Sequence, residues 1–297
     1  MRAGSYGGAD RVGCVAAMSL TVVGSIAFDA VKTPFGARER MLGGAATHFA
    51  LAASFFDEVR AVGPVGDDFD EESWRILRTR GTVTDDVELV PGGKTFFWKG
   101  VYSSNLNERE TLVTDLNVFE SFEPKLSQAS QDADVLFLAN IQPDLQREVR
   151  EQCSAARFVA MDSMNLWIDI AHEELLATIA TVDSLVLNDA ELKQLTDEPN
   201  LIRAAHAALD LGPRAVIAKQ GEYGSALITR DGFFGLTAYP TRDIVEPTGA
   251  GDTFAGGLMG YLASQDGHVD DATLRRAMAY GTACASFNVE GFGSERL

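Results

Sequence analysis

The residues best suited to chemistry lie in the segment 243–261, which reads DIVEPTGAGDTFAGGLMGY. Gly249, Ala250 and Gly251 predict a tight turn, which we call the anion turn. Asp252 follows it at the start of an apolar helical pattern. A glycine-rich turn that leads into a helix presents unpaired backbone N–H groups at one point, and the helix dipole adds positive potential there. The segment therefore predicts an anion hole suited to a phosphoryl group, with one carboxylate beside it.

The same residues have a second interpretation. Asp252 is also a good helix cap, with Thr248 and the glycines shaping an ordinary turn. The predicted helix carries Gly256, Gly257 and Gly260, and each interior glycine costs a helix about 1 kcal/mol. These glycines predict that something approaches the helix backbone closely, either a neighbouring helix or a bound nucleotide.

A second candidate pair, Asn188 and Glu191, lies in the stretch NDAE. Asparagine at a strand end, followed by glutamate three residues later, is the usual capping box of a helix start. From the residues alone, the capping interpretation is favoured for this pair. Asp29 alone is likewise an ordinary loop acid.

The elements that must position these residues alternate between strand and helix. We predict strands at 19–26, 59–65, 135–139, 158–161, 184–187 and 215–219, and an antiparallel pair at 226–229 and 232–236. We predict helices at 43–56, 70–80, about 143–155, from about 189 onward, 252–263 and 272–287. Such alternation predicts a mostly parallel sheet covered on both faces. Residues 83–115 are rich in Thr, Val and aromatic side chains around a Pro-Gly-Gly turn, which predicts antiparallel hairpins and a small β lid.

Composition excludes several classes of function. The chain has 297 residues and a formal net charge of −18, which argues against nucleic acid and against an anionic membrane surface as partners. It contains no apolar run of 18 residues, and its three scattered cysteines suit a reducing cytoplasm. We predict that residues 1–17 form a disordered extension.

In chain order, these segments resemble the motifs of the PfkB, or ribokinase-like, kinases. The sequence GAGD at 249–252, with its glycine-containing helix, is similar to the C-terminal signature of that family. Five further segments follow the family's order along nearly the whole chain: GSIAFD at 24–29, GG at 43–44, VGPVGDDF at 62–69, NDAE at 188–191 and KQGEYG at 219–224.

The resemblance implies a fold and a domain plan. The expected fold is a three-layer α/β ribokinase-like fold, with a mostly parallel central sheet flanked by helices and a small β-sheet lid. A single kinase domain would span 18–297. Its core would comprise about 18–29, 43–82 and 116–297, and its lid about 30–42 and 83–115. The lid also suggests a contact surface for a homodimer.

The resemblance further implies an ATP-dependent kinase that transfers the γ-phosphoryl group to a hydroxyl of a small sugar or sugar-like acceptor. Asp252 would be the base, and the N–H groups of Gly249, Ala250 and Gly251 would stabilise the phosphoryl group. A nucleoside kinase of the same fold is the alternative, and a catalytically silent ligand-binding relative is a third interpretation.

Other site residues follow from the same resemblance. The acceptor would be bound by Asp29, Gly43, Gly44, His48 and Gln142, and the nucleotide by Asn188, Lys219, Gly221, Gly224 and Thr248. Asn188 and Glu191 would position Mg²⁺ through water, and Glu246 suggests a monovalent cation such as K⁺.

The chain departs from the family pattern at three of these positions. His48 stands where sugar kinases often have asparagine, and it can equally be a packing residue. Gln142 stands where some relatives have an acidic ligand, and Glu246 where ribokinases have aspartate. Because the departures concern the acceptor pocket and the cation site, the sequence predicts a kinase more firmly than any named substrate.

Overall fold

The computed structural model describes residues 18–106, 108–265 and 269–297. The predicted extension at 1–17 lies outside the described residues. The strands are β1 Leu20–Val23, β2 Ala27–Thr33, β3 Gly36–Gly43, β4 Val59–Gly66, β5 Val83–Val90, β6 Phe96–Tyr102, β7 Arg109–Asp115, β8 Val135–Leu138, β9 Phe158–Met161, β10 Ser184–Asn188, β11 Ala215–Lys219, β12 Ser225–Thr229 and β13 Gly232–Leu236.

The helices lie between these strands and after them. They are α1 Ala45–Ala53, α2 Glu71–Leu77, α3 Gln128–Gln131, α4 Pro143–Gln152, α5 Asn165–Ile170, α6 His172–Ile179, α7 Asp189–Thr196, α8 Leu201–Asp210, α9 Ala250–Ala263 and α10 Asp271–Asn288. Among the described residues, no helix is both long and apolar enough to cross a membrane.

The large sheet has the strand order β13-β12-β11-β10-β9-β8-β1-β4-β5. From β11 to β5 all neighbours pair in parallel, whereas β12 and β13 add an antiparallel hairpin at one edge. The predicted parallel sheet and its antiparallel pair are therefore confirmed. The first predicted strand is shorter than expected, because β1 ends at Val23 and the chain then turns into β2.

Both faces of the large sheet are covered, and β8 shows how. Val135 and Phe137 pack into a cluster with side chains of α1, α9 and α10. Leu136 and Leu138 point the other way, into a second cluster with side chains of α4, α6 and α8. A strand buried on both faces has no polar alternation, which is why β8 reads as a continuous apolar run. The predicted three-layer architecture follows.

The small sheet, with order β3-β2-β6-β7, is the lid of this structure. Its boundaries differ from the sequence prediction in two ways. Residues 83–90 form β5, which pairs in parallel with β4 at the edge of the large sheet, so the predicted hairpin is wrong for this segment. The lid also begins at Ala27, which places Asp29 on a lid strand rather than in the core. Thr- and Val-rich composition marks a strand, but it does not determine which sheet the strand joins.

The glycines of α9 are explained by helix packing. A Cβ atom at Gly256 would overlap the carbonyl oxygen of Phe49 in α1, and one at Gly257 would lie 2.8 Å from the sulfur of Cys284 in α10. Of the two interpretations offered by the sequence, a neighbouring helix is confirmed. The close packing holds α9, and with it the anion turn at its N-terminus, rigidly against α1.

This packing predicts the effect of one methyl group. We expect Gly256→Ala to lower the free energy of unfolding by about 1–3 kcal/mol, because the added carbon forces α1 and α9 apart. Urea denaturation measures the change. Gly232→Ala is the matched control, since nothing lies within 4 Å of its added Cβ. Equal losses of stability in the two variants would contradict the packing explanation.

Candidate functional site

The anion turn begins at Gly249, which is the N-cap of α9 and has a left-handed φ of 75°. The ring of His48 packs against it, so that a Cβ atom on Gly249 would lie 2.5 Å from the imidazole. Both the backbone conformation and the space require glycine here. Of the three amides predicted to bind a phosphoryl group, that of Ala250 already donates to the carbonyl oxygen of Pro247, at 3.2 Å.

Lys219, at the end of β11, brings a positive charge to this turn. Its ammonium group lies 3.0 Å from the position that a Cβ of Gly251 would occupy. The same group forms an ion pair of 2.8 Å with Asp162, which follows β9, and both side chains are largely buried. Asp162 and Lys219, which lie at the carboxyl ends of parallel strands, thus place opposite charges beside the start of α9.

Asp252 lies in the first turn of α9, beside these charges. Burial raises the pKa of its carboxyl to about 7, and the negative charge of Asp162 adds to the rise while Lys219 opposes it. A carboxyl group with a pKa near 7 can take up a proton at neutral pH, as a general base must. The N-cap of α9 is Gly249, and no side chain forms a capping hydrogen bond there, so Asp252 is not the cap of this helix.

Asp29 occupies the lid side of the site. It is buried, and its carboxylate lies so close to Gly43 that a Cβ there would overlap it. Gly44 has a φ of 93°, and a side chain on it would collide with the carbonyl oxygen of Ser25. Burial raises the pKa of Asp29 to about 7, with further increases from Glu246 and from Asp252. The structure therefore brings together Asp29, the paired glycines and the start of α9.

Two residues predicted to bind the acceptor make other contacts in the structure. His48 is only 1% exposed, and its ring packs beneath the anion turn instead of lining an accessible wall. Gln142 is exposed at the N-cap of α4, and its amide donates to Asp144 at 3.0 Å. The acceptor role of these two residues therefore stays a prediction: one is buried against Gly249, and the other is exposed at the start of α4.

Asn188 and Glu191 form the capping box that their spacing predicts. The Asn188 side chain accepts from the Glu191 amide at 2.8 Å, and the Glu191 carboxylate accepts from the Asn188 amide at 2.9 Å. Burial raises the pKa of Glu191 to about 7, partly opposed by Lys219. The pair therefore caps α7 while lying within electrostatic reach of Lys219.

The KQGEYG segment forms the turn between β11 and β12. Gly221 has a φ of 55° and Gly224 a φ of 100°, and a side chain at Gly224 would overlap the carbonyl oxygen of Leu236. Both glycines are therefore needed for the backbone path. The turn directly follows Lys219, so it lies at the same edge of the sheet as the anion turn.

Glu246 is completely buried, and both of its carboxylate oxygens accept backbone N–H groups. One accepts from Thr248 at 2.5 Å and the other from Gly293 at 3.3 Å. The residue thus links the segment before the anion turn to the C-terminal segment. Each oxygen accepts one N–H group and retains a further acceptor site, so the monovalent cation at Glu246 stays a prediction.

Three residues near the site were not assigned a role from the sequence. Asp162 pairs with Lys219. Its position at the end of a predicted parallel strand could have indicated a place in the site, because such strand ends meet at one edge of the sheet. Tyr102, at the end of β6, lies 2.9 Å from the hydroxyl of Thr248. Arg109, its register partner on β7, lowers the pKa of Asp29 and of Glu191. Strand alternation alone could not show that the lid reaches the anion turn.

The donor set can be compared with what a metal ion needs. Within residues 18–106, 108–265 and 269–297, no group of three or more His, Cys, Asp or Glu side chains is arranged to hold a metal ion. Asp162, Glu191 and Asp252 nevertheless leave negative charge beside the anion turn, with pKa values for the last two raised to about 7. This arrangement fits a divalent cation that arrives with a phosphate ligand and is contacted through water.

Comparisons with known proteins agree with this geometry. The family model described as "pfkB family carbohydrate kinase" matches residues 14–296. The chain is 29% identical to a cytidine kinase of Thermococcus kodakarensis over 254 residues, which cover 82% of this chain and 88% of that protein. It is 27% identical to a deoxyribokinase of Salmonella typhi over 262 residues, which cover 85% and 82% of the two proteins.

Solved structures show the same fold. The nucleoside kinase of Methanocaldococcus jannaschii superposes with a TM-score of 0.77 at 20% identity, over 95% of each chain. The ribokinase of Arabidopsis thaliana, solved with ribose and ATP, gives a TM-score of 0.73 at 22% identity, over 94% of each chain. The ribokinase-like fold predicted from the sequence motifs is confirmed.

The charges around Asp252 predict two opposite changes in its pKa. We expect Asp162→Asn to lower the pKa of Asp252, because it removes a nearby negative charge. Lys219→Met should raise it, because the opposing positive charge is lost. A ¹³C NMR titration of the carboxyl carbon, assigned with Asp252→Asn, measures both shifts.

The exposed Lys125 provides the control for these titrations. Its side chain pairs with Glu123 at the surface, so Lys125→Met should leave the pKa of Asp252 at about 7. Shifts in the same direction for Asp162→Asn and Lys219→Met would contradict the assigned electrostatics.

Proposed function

Because the chain belongs to the pfkB family of carbohydrate kinases, and is therefore an ATP-dependent phosphotransferase with an alcohol group as acceptor, we propose that Asp252 is the base for the transfer. The γ-phosphoryl group of ATP would pass to a hydroxyl of a small sugar or sugar-like acceptor. One observation carries the proposal: a carboxyl group with a pKa near 7 lies at the helix end where the anion turn and Lys219 meet.

The pKa of Asp252 also favours an order of events. An alcohol is a far weaker acid than this carboxyl group, so removal of the proton before attack is unfavourable. In the loose transition state of phosphoryl transfer the attacking oxygen becomes acidic late, and Asp252 accepts the proton then. Most of the rate acceleration therefore comes from positioning and from stabilisation of charge.

We assign the stabilisation of charge to the anion turn and Lys219. The backbone amides of Gly249 and Gly251 lie at the positive, N-terminal end of α9, and they would donate hydrogen bonds to the oxygens of the phosphoryl group. Ala250 belongs to the same turn, although its amide is bonded to Pro247 in this structure. Asn188, Gly221, Gly224 and Thr248 complete the proposed nucleotide site from the adjoining strand ends and turns.

Mg²⁺ would accompany the nucleotide, contacted through water by Asn188 and Glu191. When bound, the ion neutralises phosphate charge and holds the phosphoryl oxygens in place. The position of Glu191 supports this assignment, because its carboxylate is buried within the electrostatic reach of Asp162 and Lys219 and its pKa is raised, chiefly by burial, to about 7. A monovalent cation such as K⁺ at Glu246 stays a prediction, and the proposed transfer step does not depend on it.

The acceptor would be held by Asp29, through hydrogen bonds to its hydroxyls, and by the backbone of Gly43 and Gly44. A nucleoside is the second candidate acceptor. Trp98 pairs directly with Asp29 across β2 and β6, which places an aromatic side chain beside the proposed hydroxyl ligand. The similarity to a cytidine kinase over most of both chains also favours this candidate. A catalytically silent relative is disfavoured, because Asp252, Lys219 and the anion turn are intact.

Two further expectations concern partners. Phe35 and Leu112, both on the lid, are 62% and 48% exposed, and they support a homodimer formed through this sheet. The net charge of −18 supports the expectation that nucleic acid is not a partner.

The base assignment predicts a large loss of activity in one variant. We expect Asp252→Asn to lower kcat at least about 100-fold while leaving ATP binding nearly unchanged, because general bases contribute that much to proton transfer. Coupled ADP release measures kcat, and calorimetry measures ATP binding. Asp231→Asn, at the exposed turn between β12 and β13, is the control and should be fully active. Unchanged turnover in Asp252→Asn would show that another group is the base.

The acceptor class is tested by a substrate panel. We expect ADP release to be stimulated by free sugars such as ribose, deoxyribose or fructose. Cytidine, inosine and adenosine form the second arm of the panel. Turnover with nucleosides and with no free sugar would overturn the sugar assignment in favour of the second candidate. An absence of turnover with either arm would favour the silent relative.

A further inference from the structure

Tyr102 connects the lid to the anion turn through one side-chain hydrogen bond. Its hydroxyl lies 2.9 Å from the hydroxyl of Thr248, although 146 residues separate the two in the chain. Tyr102 is the last residue of β6, so the bond joins the end of a lid strand to the residue that precedes Gly249. The tyrosine is largely removed from water, and this burial raises its pKa. Its O–H group therefore keeps its proton at neutral pH.

The backbone of Thr248 is held from the opposite side, by the main body of the protein. Its N–H donates to the buried carboxylate of Glu246 at 2.5 Å, and its carbonyl oxygen accepts from Asn288 at 2.8 Å. Asn288 is itself fixed, because Thr253 of α9 donates to its side-chain oxygen at 3.1 Å. The core thus fixes the position of Thr248 and leaves its hydroxyl to be oriented by the lid.

The connection continues directly into the anion turn. Gly249 is the next residue, and the ring of His48 lies against it on the core side. Thr248 and Gly249 share a peptide bond, so the hydrogen bond from the lid lies one residue from the anion turn. This connection leads to the amides that the proposed function assigns to phosphoryl binding.

We propose that Tyr102 is a positioning residue for phosphoryl transfer, which acts through Thr248 by donating its hydroxyl proton to the threonine oxygen. This inference rests on the proposed function of the anion turn. A hydroxyl has one donor and two acceptor sites. With the tyrosine as donor, the Thr248 proton is free to point at a phosphate oxygen of the nucleotide.

This arrangement links the contact between the lid and Thr248 to phosphate binding. Asp29, the proposed acceptor ligand, lies on β2, and β2 pairs with β6, the strand that ends in Tyr102. An acceptor held by Asp29 therefore steadies the same sheet that orients Thr248. Phosphate binding is completed when the acceptor side is in place, which limits transfer of the phosphoryl group to water.

A double-mutant cycle tests the proposal. We expect Tyr102→Phe to lower kcat by about five- to tenfold, the effect of one lost hydrogen bond, and to raise the ratio of ATP hydrolysis to acceptor phosphorylation. In a Thr248→Val background the same substitution should change kcat by less than about twofold, because the partner hydroxyl is already absent. In a Thr248→Ser background, which keeps the hydroxyl, the full effect should return. Single-turnover measurements keep slow variants measurable.

Tyr280→Phe provides the matched control. Tyr280 stacks on Tyr261 away from the anion turn, so loss of its hydroxyl should leave kcat and the hydrolysis ratio unchanged. An equal effect of Tyr102→Phe in the Thr248→Val and wild-type backgrounds would overturn the proposal, because the tyrosine would then act only through lid stability. Wild-type kcat in Tyr102→Phe would overturn it as well.

Asp252→Asn separates a failure of this inference from a failure of the proposed function. If Asp252→Asn is inactive and Tyr102→Phe behaves like the wild type, only the role of Tyr102 is wrong. If Asp252→Asn retains full turnover, the proposed site itself is wrong.

Discussion

Lys219 carries the positive charge around which the acids of the site are arranged. Its ammonium group pairs with Asp162 at 2.8 Å and lies against the anion turn. It also opposes the rise in the pKa of Glu191 and of Asp252. Breaking a buried ion pair usually costs about 3–5 kcal/mol, because the remaining charge is left without a partner. Without Lys219, the carboxylates of Asp162, Glu191 and Asp252 would repel one another beside the N-terminus of α9, where we propose that a phosphoryl group binds.

The parallel sheet is what allows this arrangement. Asp162 follows β9, Asn188 ends β10 and Lys219 ends β11, and these three strands are neighbours. Because parallel strands end at the same edge, three segments that are distant in sequence place their side chains within one site. The anion turn joins them from the other direction, at the start of a helix locked against α1 by glycine contacts. The overall charge of −18 does not prevent anion binding, since the local field is set by Lys219 and by the helix end.

Much of this could be predicted from the sequence, for identifiable reasons. The buried strands of the large sheet read as short apolar runs, and the capping box at Asn188 and Glu191 appeared with the spacing predicted. The anion turn was recognisable because its conformation requires glycine at Gly249. The pairing of β5 was not predictable, because its composition suits an edge strand of either sheet. The family positions of His48 and Gln142 identify their helices, but they do not show that His48 is buried against Gly249 or that Gln142 is exposed at the N-cap of α4.

The proposed phosphoryl-binding groups and the proposed acceptor ligand Asp29 belong to different sheets. The proposed phosphoryl-binding groups lie on strand ends and on a helix terminus of the large sheet, where packing leaves little freedom. The proposed acceptor ligand Asp29 lies on the lid, beside Trp98 and within the electrostatic reach of Arg109. The other lid strands, β3, β6 and β7, carry mostly exposed or half-buried side chains, so these can change with the acceptor while the large sheet stays constant. A chain that keeps the phosphoryl-binding groups and varies the acceptor ligands would remain recognisable as a kinase long before its acceptor could be identified.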